Sequence, residues 1–242
     1  MSCHQTDKFI RYGDDKGACE NIFSYGFLED AMSTAKIMFL DLDIPDDDPL
    51  RPAKIYVSTT APGFRIYEKD DSIEWESDYI WLVVVNEEDG LDFKVRQTTD
   101  GKREIQAFWK ERELDTTKLR EYLEEDPAWD VFQLRATVLL LDRVEAQIET
   151  LRGTEGIKRE ATVRDVPWRL AERLRSLELD MLKRAASNFD SQVRAVTFFM
   201  YRVSTPPTTA RFLWWRNFKR STRLTSRKFG HYHRGLGSSN QG

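Results

Sequence analysis

The chain has 242 residues, 40% of them hydrophobic, and a formal charge of -4, which gives it enough apolar material to bury the core of one large domain or two small ones. Two cysteines, Cys3 and Cys19, exclude a disulfide framework and suit a reducing compartment. The sequence has no run of about 18 apolar residues and no secretory pattern, so a membrane span is excluded and the expected location is the cytosol or the nucleus.

The first element read from the pattern is a helix over residues 17 to 40. Ala18, Ile22 and Tyr25 fall on one stripe, Ala31, Ala35, Met38 and Phe39 on a second, and Gly26 permits a bend between them. The run DLDIPDDDP, residues 41 to 49, combines prolines with aspartates and reads as an exposed linker. It lacks the glycine and the distal glutamate of a calcium loop, and no metal site is expected there. Residues 63 to 67 and 72 to 75 are short strand candidates, and residues 76 to 88 have helical length, with Tyr79, Leu82 and Val83 on one face. The clearest local signal is LDFKVRQTTDGKREIQAFW, residues 91 to 109. Leu91, Phe93 and Val95 alternate with polar residues, Asp100-Gly101 supplies a left-handed turn, and Ile105, Ala107 and Trp109 alternate on the return, which predicts a β-hairpin.

Helical signals dominate from residue 113 to residue 190. Thr116 or Thr117 can cap a helix running to about Glu125, and Pro127 restarts the chain. Leu134, Val138, Leu141, Val144, Ile148 and Leu151 then keep a helical stripe up to Gly153. A second long helix starts at Asp165, with Pro167 in its first turn and Leu170, Leu174, Leu177, Met181 and Ala185 as its apolar stripe. Two such stripes joined by a polar loop predict an antiparallel helical pair with a structural role. The fold class implied is α+β, mainly helical.

Charge divides the chain unevenly. From Ala195 onward there are nine Lys or Arg and no Asp or Glu, so residues 1 to 194 hold 28 basic and 41 acidic side chains, a net of -13. The last part, residues 195 to 242, interleaves Phe212, Trp214, Trp215, Phe218, Phe229 and Tyr232 with cations. That composition could stack bases and neutralise phosphates. The Thr205 to Thr209 break and the missing amphipathic period instead favour a disordered basic tail without nucleic-acid binding. The pair His231 and His233 has no third ligand, so no metal is expected there either.

The stretch FIRYGDDKGACENIFSYGFLED, residues 9 to 30, carries Tyr-Gly twice, at Tyr12-Gly13 and Tyr25-Gly26. It resembles the closing segment of the SET domain of protein-lysine methyltransferases, in particular the branch that includes the Rubisco large-subunit methyltransferase. The resemblance implies a strand from Phe9 to Tyr12, a polar loop, a helix from Ala18 to Ser24, and then Tyr25-Gly26-Phe27. It implies that Tyr12 is the catalytic tyrosine beside the lysine amine and that Tyr25 lines the lysine channel. It also implies S-adenosylmethionine as methyl donor, a protein substrate such as a ribosomal or histone-like protein, and a mainly helical substrate-binding domain after the SET domain.

The implied organisation is a SET remnant over residues 1 to 28, a substrate-binding-like domain over 29 to 194 with its hairpin at about 91 to 109, and the tail. The Gly-x-Gly strand and the Asn-His pair that serve the cofactor in the family have no counterpart ahead of Tyr12. The expectation is therefore a C-terminal part of a longer enzyme, or a truncated relative, inactive and without cofactor binding by itself. The other reading is a non-catalytic interaction module that binds a basic protein.

Overall fold

The computed structural model describes residues 16–97, 101 and 103–203, with side chains through Thr197. Six α-helices and two three-stranded antiparallel sheets lie within those residues. This is the mainly helical α+β fold that the sequence implies. In chain order the elements are α1 (Ala18–Tyr25), β1 (Ile37–Asp41), α2 (Arg51–Val57), β2 (Gly63–Lys69), β3 (Ser72–Glu76), α3 (Tyr79–Val84), β4 (Leu91–Gln97), β5 (Arg103–Trp109), β6 (Arg112–Leu114), α4 (Leu119–Glu124), α5 (Trp129–Arg152) and α6 (Asp165–Val203). The chain divides into two compact units, Met1–Val196 and Thr197–Gly242.

The first sheet has the order β1-β2-β3. Leu40 and Phe64 pair across it, as do Met38 and Ile66, and all four side chains are buried. Asp70 and Asp71, both with positive φ, form the two-residue turn between β2 and β3. Aspartate tolerates that left-handed conformation better than most residues because its short side chain bonds locally. The second sheet, β4-β5-β6, contains the predicted hairpin, with Leu91 opposite Trp109 and Phe93 opposite Ala107. It extends one strand further through a turn at Lys110 and Glu111, again with positive φ.

One buried cluster joins both sheets to the helices. It contains Phe64 and Ile66 from the first sheet, Leu91 and Trp109 from the second, all six residues of α3, Phe132 and Leu140 of α5, and Met181, Leu182, Ala185 and Phe189 of α6. α3 is short yet fully buried, and Ser77 fixes its start. The Ser77 hydroxyl accepts from the Ile80 amide at 3.0 Å and donates to the Gly63 carbonyl at 2.7 Å, tying α3 to β2. Three tryptophans gather at this point, with Trp81 5.8 Å from Trp75 and 5.0 Å from Trp129 between ring centres.

α5 and α6 are anchored to different parts of the chain. Arg135 of α5 donates to the Val84 carbonyl at 3.1 Å and pairs with Asp89 at 2.6 Å, and Arg143 donates to the Asp41 carbonyl at 2.8 Å. Arg173 of α6 donates to the Glu29 carbonyl at 2.6 Å and the Asp30 carbonyl at 2.9 Å. Further along α6, Arg184 pairs with Glu68 at 2.6 Å and Asn188 donates to the Ile73 carbonyl at 2.8 Å. α6 thus spans from the loop after α1 to the turn of the first sheet.

The structure corrects three local expectations. The helix expected over residues 17 to 40 ends at Tyr25, because Gly26 adopts φ 75° and its amide closes the helix on the Ile22 carbonyl at 2.9 Å. Gly26 terminates the helix where a bend was expected, and Met38 and Phe39 belong to β1. The acidic run 41 to 49 is more than an exposed linker. Leu42 and Ile44 are buried in it, and Asp48 forms a 2.5 Å ion pair with Lys54 of α2, whose side chain is 0% exposed. Lys54 also donates to the Val85 carbonyl at 2.7 Å. Finally, Asp115 caps the turn before α4 in place of Thr116 or Thr117, accepting from the Thr117 amide at 3.1 Å.

α6 continues past residue 195 to Val203. The remaining tail, with its aromatics, cations and histidines, lies outside the described residues.

Candidate functional site

α1 is built on the start of β1. The Ala18 amide donates to the Ala35 carbonyl at 3.0 Å, and a Cβ on Gly17 would fall 2.3 Å from the Ile37 carbonyl oxygen. Only glycine allows this approach, since the obstacle is backbone that cannot rotate away. The helix turns Ala18, Asn21 and Ile22 inward and leaves Phe23 92% exposed. Among the described residues, the buried Asn21 Oδ1 has no hydrogen-bond partner.

Tyr25 is the last residue of α1 and is 39% exposed. Its hydroxyl accepts from Lys16 Nζ at 2.6 Å, and the same ammonium lies 4.6 Å from the centre of its ring. Glu20, one helical turn on from Lys16, comes within 3.5 Å of that ammonium. The Phe27 ring lies 6.2 Å from the Tyr25 ring at a tilt of 40°. The hydrogen bond to Tyr25 is the main cause that raises the Lys16 pKa above the ordinary lysine value, with Glu20 adding to it. The assembly is a cation site made of an aromatic face, a phenol oxygen and a carboxylate.

Of the two tyrosines singled out from sequence, Tyr25 therefore stands in a site that holds a lysine ammonium, and Tyr12 lies outside the described residues. Lys16 carries no mark of its own in the sequence. Its only signal is the spacing of four to Glu20, which on a helical path brings opposite charges together.

Other chemistry near α1 is limited. Desolvation, with Glu178 of α6 nearby, pushes the Cys19 thiol above its ordinary pKa, which makes it a poor nucleophile at neutral pH. A shallow depression of about 420 Å³ lies along α6 beside Glu155, lined by Glu172, Arg175, Asp180 and Lys183. Its mixed, mostly exposed charges describe a solvated helix face. Among the described residues, no three His, Cys, Asp or Glu converge as a metal site, and no helix is long and apolar enough to cross a membrane.

S-adenosylmethionine, the donor implied by the SET resemblance, can be tested against this geometry. Its reactive centre is a sulfonium cation. At Tyr25 the hydroxyl accepts from an ammonium N–H at 2.6 Å, and a sulfonium has no N–H to donate to it. The described residues at Tyr25 do not fit the methyl donor, though they do fit a lysine side chain.

No family model matches the chain, and no solved structure matches it. SET domain-containing protein 8 of Schizosaccharomyces pombe is 26% identical over 144 residues, which cover 58% of this chain and 34% of that protein. The chain thus spans about a third of the length of the curated relative it matches. This similarity supports a relationship between the chain and SET domain-containing proteins.

Proposed function

We propose that the chain serves as the substrate-binding portion of a SET-type protein-lysine methyltransferase, recognising a lysine-bearing segment of a basic protein in the cytosol or nucleus. The observation that carries this reading is the similarity over 144 residues to a SET domain-containing protein. Two features are consistent with it. Tyr25 offers a phenol and a ring face to an ammonium, as a lysine-channel tyrosine would. The net charge of -13 over residues 1 to 194 favours a cationic partner such as a ribosomal or histone-like protein. In this reading Tyr12 is the tyrosine beside the reacting amine and Tyr25 a wall of the channel.

A second reading has its own support. The net charge of -13 over residues 1 to 194 would serve equally well a non-catalytic module that binds a basic protein and performs no transfer. Cofactor binding by this chain would exclude the second reading. One tyrosine hydroxyl contributes about 0.5 to 1.5 kcal/mol net, whereas micromolar affinity needs about 8 kcal/mol. A calorimetric titration of the purified chain with S-adenosylmethionine is expected to show no binding in the micromolar range. A companion assay on cell extract with radiolabelled methyl donor is expected to show no transfer. Tight binding, or transfer that is lost in Tyr12→Phe, would establish a donor site and rule out the non-catalytic reading.

A further inference from the structure

The cation site at Tyr25 is already filled by a residue of its own chain. Lys16 Nζ is bonded to the Tyr25 hydroxyl at 2.6 Å and stands over the ring at 4.6 Å, while Glu20 holds it from the other side at 3.5 Å. A lysine ammonium arriving from another protein would need the same three contacts. Cation–π attraction and the phenol lone pair are not selective between two primary ammonium groups, so such a lysine competes with Lys16.

We propose that Lys16 is an internal occupant of the Tyr25 lysine site, which an external lysine must displace before it can bind. The proposal rests on the reading of Tyr25 as a lysine-channel residue, and concerns how that site is controlled.

The displacement is geometrically feasible. Lys16 lies just ahead of the Gly17 junction and outside α1. Its side chain is 29% exposed, so it can swing into water without disturbing the core. Glu20 and Tyr25 stay fixed on the helix, which is held by the close packing at Gly17 and the bond between Ala18 and Ala35. Occupation by Lys16 keeps the Tyr25 hydroxyl engaged and raises the affinity a partner needs. A partner that offered Lys16 a carboxylate of its own would release the site and fill it in one event.

The test uses the full chain labelled with ¹³C at tyrosine rings, with the Tyr25 signal assigned from Tyr25→Phe. The probe is N-acetyl-lysine methylamide, with the norleucine analogue as an uncharged control of equal length. In Lys16→Met, and likewise in Lys16→Gln, the Tyr25 signal is expected to saturate at a concentration about threefold or more below that needed for the unsubstituted chain, the scale of one exposed cation–π contact. The norleucine control is expected to leave the signal unmoved. Equal midpoints in the substituted and unsubstituted chains, with lysine still binding, would overturn the proposal and leave the lysine-site reading standing. Absence of any Tyr25 response to the lysine probe in all three chains would overturn the lysine-site reading, and the proposal with it.

Discussion

At the residue scale, the side chains that matter most are those whose partners come from elsewhere in the chain. Lys54 shows this. Read along the sequence it is an ordinary cation in a short helix, and its neighbours Arg51 and Tyr56 give no reason to bury it. In the fold it is 0% exposed, between Asp48 at 2.5 Å and the Val85 carbonyl at 2.7 Å. Burial is the main influence on its titration and lowers its pKa, and Asp48 opposes that effect. Removing one member of such a pair leaves the other buried and uncompensated, so Lys54→Ala is expected to cost about 3–5 kcal/mol. Urea unfolding checks this, and the double substitution Lys54→Met with Asp48→Leu is expected to recover most of the loss. A single-substitution cost below about 1 kcal/mol, the range of an exposed pair, would show that the pair is open to water. The same contrast holds at the candidate site. Tyr25 could be picked out because a Tyr-Gly-Phe motif is contiguous, while Lys16 gains its meaning only from the hydrogen bond that the helix makes possible.

At the element scale, local pattern was sufficient wherever pairing was local. The hairpin over residues 91 to 109 and the strands near 63 and 72 are set by local alternation and nearby turn residues, and all are present. The starts of α5 and α6 follow from Pro127 and from Asp165 with Pro167. Periodicity failed between residues 27 and 40, where a helical spacing of apolar residues was overridden by pairing of β1 with β2. Its partners lie 22 to 30 residues away and cannot be read from a local window. The buried face of α6 was legible, since Leu177, Met181 and Ala185 of its apolar stripe lie in the core, while its polar anchors Arg173, Arg184 and Asn188 were hidden on a face that reads as solvated. One of these contacts makes a prediction. The Thr34 hydroxyl, donating at 2.6 Å, and then the Arg184 guanidinium hold the Glu68 carboxyl below the usual carboxylate range. With the folded pKa depressed, the stabilisation is fully present above the unfolded value of about 4.3 and is lost as pH falls through the folded value. Glu68→Gln is therefore expected to be less stable than the unsubstituted chain at pH 6, with the gap closing as pH falls below about 4. Denaturant midpoints taken from pH 6 to pH 3 provide the check. A gap that stays constant with pH would show that the contact works as a neutral hydrogen bond.

At the scale of the whole molecule, charge is the property most legible in the sequence and the one that bears most directly on partners. Residues 1 to 194 carry 41 acidic and 28 basic side chains. The fold uses part of this charge internally, since Asp48, Glu68, Asp89 and Asp126 are each committed to a Lys or Arg. It leaves Glu29, Asp47, Glu87, Glu88, Glu121 and Glu125 exposed. Exposed charges of one sign raise the local concentration of a cationic partner and speed its approach, and they do so through a field that salt screens over about 10 Å at 0.1 M. A Lys- and Arg-rich peptide is therefore expected to bind more tightly than a neutral peptide of the same length. Its association rate should fall several-fold from low to physiological salt, with a smaller change in the dissociation rate. Surface plasmon resonance with immobilised chain measures both rates. The contribution of Tyr25 is separable in the same experiment. A peptide with all lysines replaced by arginine keeps its charge and its response to salt, but its planar guanidinium differs from an ammonium at the Tyr25 hydroxyl. It is expected to associate as fast as the lysine peptide and to dissociate sooner. Neutral or acidic peptides binding as well as basic ones would remove the electrostatic support for a basic partner. Equal dissociation of the lysine and arginine peptides would confine recognition to overall charge and take Tyr25 out of it.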